Sequence, residues 1–143
     1  MSKETLSASN SFKTHFVKGY EALKQITEDL ESERLKGSKI FVYFTGEKMS
    51  TGESWCPDCV HAEPYVQAYL RKNEPKLKIN HLIITDAGNR DQWKDKSNSF
   101  RTVLNIQNLP TIIRWKGPQK LTGDELCNDS LLALLFEDAE DYL

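Results

Sequence analysis

Three cysteines, seven glycines and five prolines are few among 143 residues. A small, odd number of cysteines is not the framework of a secreted disulfide scaffold. No stretch approaches the ~18 consecutive apolar residues of a membrane span, and Met1-Ser2-Lys3-Glu4-Thr5 opens no apolar run of signal-peptide length. Charge of one sign is lacking too: 19 lysines and arginines, dispersed along the chain, stand against 21 aspartates and glutamates, for a net charge of −2. Neither a nucleic-acid footprint nor, with 38% hydrophobic residues, a disordered composition is indicated. The expectation is a monomeric protein of a reducing compartment, the cytoplasm, without nucleic-acid or membrane partners. Without internal repeat or linker, 1–143 reads as one domain with its core in about 12–137.

What is present is Trp55-Cys56-Pro57-Asp58-Cys59. On a helix, positions three apart differ by about 300° of rotation, so both thiols lie on nearly one face. First-turn amides without helical partners, together with the helix dipole, favour a thiolate at Cys56. An ordinary thiol near pKa ~8.5 is only a few per cent ionised at neutral pH, whereas the first cysteine of such a motif commonly falls to roughly 7 or below. Cys56 is the candidate nucleophile and Cys59 the resolving thiol. Pro57 suits a first helical turn, fixes the separation of the thiols and removes a backbone donor beside them.

The same spacing supplies half of many zinc sites. A closed site needs four ligands, and only Cys127, His15, His61 and His81 remain, with no second close pair. His61 would stand about 200° around the helix from Cys59, facing away. No metal is expected, His61 reads as a solvated helix residue, and Cys127 as a small hydrophobe entering the last helix.

The surroundings favour redox chemistry. Lys39 to Thr45 is a β-branched and aromatic run ending at Gly46, which reads as a buried strand, and Val60 to Leu70 fits a helix with one buried flank, kinked at Pro64. Upstream, Phe12, Phe16, Tyr20, Leu23, Ile26 and Leu30 predict a helix capped by Ser11 and stopping near Gly37. Leu77, Ile79 and Leu82 to Ile84 predict a strand ending at Asp86, and Ser97 to Leu104 a helix. Thr111 to Trp115 and Lys120-Leu121 read as strands, and Asp129 to Ala139 as the closing helix. The sum is an α/β domain with a central mixed sheet flanked by helices.

Phe44-Thr45-Gly46, Ser54 to Val60, Ala62-Glu63-Pro64, Trp93-Lys94-Asp95, Phe100-Arg101, Pro110-Thr111 and Pro118 to Leu121 resemble the thioredoxin superfamily. The likeness, running from about Phe12 to about Phe136, is narrowest to the branch whose active site reads Trp-Cys-Pro-Asp-Cys. It implies the thioredoxin fold and a cis Pro110 packed against the dithiol, from which the Leu109 backbone could pair with an extended substrate. It also implies a disulfide reductase with no bound cofactor. The redox-active Cys56–Cys59 pair would be re-reduced by NADPH through thioredoxin reductase. Cystine, a restricted set of protein disulfides and some peroxide would be its substrates.

Against the general pattern of that superfamily, three features depart. Asp58 places a carboxylate beside the sulfurs, which should disfavour the thiolate, keep the site reducing and repel acidic partners. The buried aspartate of the preceding strand is missing, its place taken by Tyr43, which leaves Glu63, Asp58 or water to handle the proton. Glu47 to Ser54 is longer than a thioredoxin needs and reads either as an access-restricting loop or as a loop of no consequence. Trp55 is expected exposed, shaping the contact surface. Two rival readings remain, a redox-silent binding module with an unreactive Cys56 and a zinc-stabilised interaction domain.

Overall fold

The structure, a computed structural model, describes residues 12–33 and 38–137. Ser11, Gly37 and Ala139, named above as helix boundaries, lie outside them. Five strands pair in the order β1-β3-β2-β4-β5: β1 is Lys13–Lys18, β2 Ile40–Thr45, β3 His81–Asp86, β4 Thr111–Arg114 and β5 Lys120–Thr122. β3 lies parallel to both β1 and β2, whereas β4 runs antiparallel to β2 and to β5. The sheet is therefore mixed, as expected, its parallel part built by helix-connected strands and β4 and β5 joined antiparallel by a short turn.

β2 is the central strand and is buried along Ile40 to Phe44, so its side chains alternate between two cores. Phe41 and Tyr43 face α2 (Pro57–Asn73) and α5 (Asp129–Phe136), packing with Ala62, Val66, Leu132 and Phe136. Val42 and Phe44 face α1 (Tyr20–Glu33), α3 (Arg90–Lys94) and α4 (Ser99–Thr102) through Leu23, Trp93 and Phe100. Each fully buried side chain of this size contributes roughly 1.5–3 kcal/mol of hydrophobic stabilisation. Cys56 and Cys59 belong to the second core, so the helix bearing the dithiol spans both layers at the end of β2.

The first expected helix is corrected at its start. Residues 13–18 form an edge strand, with lysines at both ends and Phe16 75% exposed. Helical spacing holds only from Tyr20 onward. Gly19, at φ +88°, breaks the path between the two, and its amide bonds the Asp86 carbonyl at 2.9 Å. The strand expected to begin at Leu77 starts at His81, although Leu77 and Ile79 are buried as core. The helix expected over Ser97 to Leu104 is confined to Ser99–Thr102, and a second short helix, Arg90–Lys94, precedes it. Asn89 caps α3 in a reciprocal capping box with Gln92, and Asn98 caps α4, so each short helix starts at its own polar side chain. α2 runs continuously through Pro64. No helix of the described residues is long and apolar enough to cross a membrane.

Candidate active site

β2 delivers Thr45 and Gly46 to the site, and the following loop comes straight back. Lys48 and Ser54 form an isolated antiparallel bridge, the Met49 amide bonds the Glu53 carbonyl at 2.7 Å, and the Trp55 amide bonds Glu47 at 3.2 Å. Gly52 turns the excursion at φ +96°. The segment is a tight hydrogen-bonded loop whose product is the placement of Trp55. Gly46 is required for a different reason: a Cβ there would lie 2.8 Å from Ser54 Oγ and 2.9 Å from Trp55 Nε1.

Cys56 is the N-cap of α2, and its sulfur accepts the Cys59 amide at 3.2 Å. Pro57 follows as the first helical residue, where no amide is missed. The Cys56 amide donates in turn to the buried Ser54 hydroxyl at 3.1 Å. The Cys56 pKa is lowered to about 7, first by the Cys59 thiol donating to its sulfur and then by the Cys59 amide. Burial and the Asp58 charge oppose the shift. Cys59, almost fully buried, is pushed strongly up, first by its hydrogen bond to Cys56 and then by burial. The Thr45 hydroxyl and the Gly46 amide, 3.4 Å from its sulfur, pull the other way. Two chemically identical thiols are thus made unequal by position.

Leu109-Pro110 is cis, as the resemblance implied, and Cys56 Sγ lies 3.9 Å from the Leu109 carbonyl oxygen. Trp55, Cys56, Pro57, Asp58 and Leu109 line one cleft of about 410 Å³ together with Arg90, Lys94 and Arg101. Asp58 and Pro57 are exposed. Trp55 is half-buried rather than exposed, because its indole N–H donates to the Gly88 carbonyl at 2.9 Å. Trp93, derived from sequence only as part of the resemblance, is buried beneath the cleft and carries the Arg101 guanidinium 4.3 Å from its ring centroid. The Arg101 Nε also donates to the Trp93 carbonyl at 2.8 Å, so the cation is fixed in place.

Tyr43 occupies the buried strand position on the other side of the dithiol. Burial, then the Glu63 charge and the cysteines, raise its pKa far above the ordinary phenol value, so it stays neutral. Glu63 is held at the surface by Lys48 at 3.3 Å and by Gln67 at 3.0 Å. Ser54, Thr45 and Gly46 were not singled out as site residues from sequence. They entered only as part of the segments that carry the resemblance, with no role attached. His61 and Cys127 are not among the residues lining the cleft.

A family model described as thioredoxin domain-containing protein 17-like, thioredoxin domain, matches residues 16–138. The chain belongs to this family. Thioredoxin domain-containing protein 17 of Danio rerio is 39% identical over 123 residues, which are 85% of this chain and 93% of that protein. The Homo sapiens protein of the same name is 39% identical over 106 residues, covering 74% and 84%. The thioredoxin-like protein Clot of Arabidopsis thaliana is 34% identical over 99 residues, covering 66% and 72%. Among solved structures, a poplar thioredoxin h mutant shares the fold at a TM-score of 0.52 with 18% identity, covering 92% of this chain and 88% of that one. For a member of the thioredoxin domain-containing protein 17-like family, this dithiol is consistent with a thiol–disulfide oxidoreductase.

Proposed function

We propose that the chain is a cytoplasmic, monomeric disulfide reductase that takes electrons from NADPH through thioredoxin reductase. Its substrates would be cystine and a restricted set of protein disulfides, with peroxide as a slower one. The observation that carries the reading is the inequality of the two sulfurs. Cys56 is held near pKa 7 by donors from Cys59, whereas Cys59 is kept protonated beside it.

In the first step the Cys56 thiolate attacks a substrate disulfide. A Cys56–substrate S–S bond forms, the substrate's own S–S bond breaks, and the departing thiolate takes a proton from water. Once Cys56 is in the mixed disulfide its negative charge is gone, so the main cause holding the Cys59 proton is removed. The Thr45 hydroxyl and Gly46 amide then stabilise the Cys59 thiolate. Cys59 attacks the Cys56 sulfur, the mixed disulfide breaks, and the Cys59 proton passes to the second substrate thiolate. The product is an oxidised Cys56–Cys59 pair and two substrate thiols. With peroxide, Cys56 would be oxidised to a sulfenic acid, and Cys59 would condense with it, releasing water.

NADPH consumption with purified thioredoxin reductase, cystine and insulin tests this. Turnover that is lost in Cys56→Ser, with cystine reduced faster than insulin, is expected. No turnover from folded, reduced protein would favour a redox-silent binding module.

A further inference from the structure

We propose a metal site outside the dithiol: His61, Asp124 and Cys127 form a three-ligand Zn²⁺ site that ties α2 to the turn before α5. One ligand atom from each residue lies within 4.8 Å of the other two. The half-turn that carries His61 away from Cys59 aims it at this second group, which is 63 positions further along the chain at its nearest member (124 − 61).

The backbone builds two of the ligands as a unit. Gly123–Cys127 is a 3-10 helix, in which residues three apart eclipse, so Asp124 and Cys127 project in the same direction. Its geometry is fixed at both ends. Gly123 enters at φ +60°, the Thr122 and Glu125 side chains close a reciprocal capping box, and Leu126 is fully buried. His61 comes from α2, where its ring packs against Tyr65 with centroids 5.6 Å apart. Among the described residues, none of the three ligand atoms is committed to a hydrogen bond or ion pair with another side chain.

An imidazole nitrogen, a thiolate and a carboxylate oxygen make a borderline-soft set, which suits Zn²⁺ and not Mg²⁺ or Ca²⁺. Bonds of about 2.0–2.3 Å in a tetrahedron bring ligand atoms to about 3.3–3.8 Å of one another. Closing from at most 4.8 Å therefore takes up to about 1–1.5 Å, which rotation of the exposed His61 and Asp124 side chains supplies while Cys127 stays seated against the core. A water completes the fourth position. Because it is distinct from the cleft, the site does not depend on the proposed reductase activity.

The test uses the full chain with Cys56→Ser and Cys59→Ser, which removes the dithiol as a competing ligand pair, titrated with Zn²⁺ by calorimetry and with Co²⁺ by absorption. One equivalent should bind, the Co²⁺ form showing a thiolate charge-transfer band. Cys127→Ser should abolish the band, and His61→Ala or Asp124→Ala should weaken binding by about tenfold or more. Circular dichroism establishes that each variant is folded. In the otherwise unchanged chain, Zn²⁺ should slow alkylation of Cys127. Absence of binding, or binding of equal strength in all three ligand variants, overturns the proposal.

Discussion

The amide of Cys59 points at the sulfur of Cys56 from 3.2 Å, so the resolving residue stabilises the nucleophile before any substrate arrives. Alkylation of reduced protein should follow a titration centred near pH 7, at which Cys56 is about half thiolate while an ordinary thiol is only a few per cent. Cys56 should therefore react roughly tenfold or more faster than Cys127 at neutral pH. Mass spectrometry of a timed iodoacetamide pulse gives the order of labelling. Equal rates would remove the basis for assigning Cys56 as nucleophile.

Asp58 opposes that stabilisation by its charge. Asp58→Asn should move the alkylation midpoint of Cys56 to lower pH and make the dithiol more oxidising, because a better thiolate stabilises the reduced form. A midpoint that stays put would mean the exposed carboxylate is screened out by water.

The pH dependence of stability has a defined sign. Cys56 is an acid whose folded pKa is depressed from 9.0 to about 7, so its thiolate contributes stability that is full above pH 9 and is lost as pH falls through 7. Between those limits reduced protein should gain stability relative to Cys56→Ser, read as the pH dependence of the urea midpoint. A flat difference between the two proteins would contradict it.

Gly46→Ala places a methyl 2.8 Å from Ser54 Oγ and 2.9 Å from the Trp55 indole nitrogen. The crowding should cost about 1–3 kcal/mol in chemical denaturation and loosen Trp55 from Gly88, seen as a shift in tryptophan fluorescence. Ser54→Ala removes the acceptor of the buried Cys56 amide and should cost about 1–3 kcal/mol by the same assay. Wild-type midpoints in both variants would mean that neither contact holds the loop.

Arg90, Lys94 and Arg101 line the same cleft as Cys56 and give its wall more positive than negative side chains, Asp58 being the one carboxylate among the lining residues. Lys94→Glu should slow reduction of oxidised glutathione, an anionic disulfide, by several-fold while sparing or speeding cystamine, a cationic one. The difference should shrink as salt is raised. Parallel changes for both disulfides would exclude charge selection.

At the β1–β3 edge, His15 Nε2 and His81 Nδ1 lie 3.0 Å apart, and burial followed by Lys13 lowers the His15 pKa. A base whose folded pKa is depressed loses stability on protonation, so β1 should loosen as pH falls below the ordinary histidine value of 6.5. Amide exchange in 13–18 should accelerate there, and much less in His15→Gln.

The dithiol, the strand before it and the helix after it were legible because each rests on local physics: a β-branched run, a first-turn proline, a thiol spacing that matches helical rotation. Tyr20 to Leu30 gave a true helical period, but Phe12 and Phe16 fell into the same register by coincidence. Pairing of Lys13–Lys18 with β3, a partner far along the chain, outweighed it. Ser97 to Leu104 read as one helical stretch, but the Asn98 side chain, accepting from the Phe100 amide, starts the helix only at Ser99, and it ends at Thr102. Trp55 was expected exposed as a contact-surface aromatic, and its half-burial was not legible because its hydrogen-bond partner, Gly88, lies 33 residues away.

The sequence by itself determined the chemistry: two thiols at a helix start, their order of reaction, and the α/β class, since all depend on neighbours within a few residues. Tertiary structure alone decided what tunes and surrounds that chemistry. Ser54 under the Cys56 amide, Gly46 behind Cys59, the cations that line the cleft, and His61 with Asp124 and Cys127 depend on how loops return and faces meet. Those distances are set by packing of the two cores on β2, which no local pattern encodes.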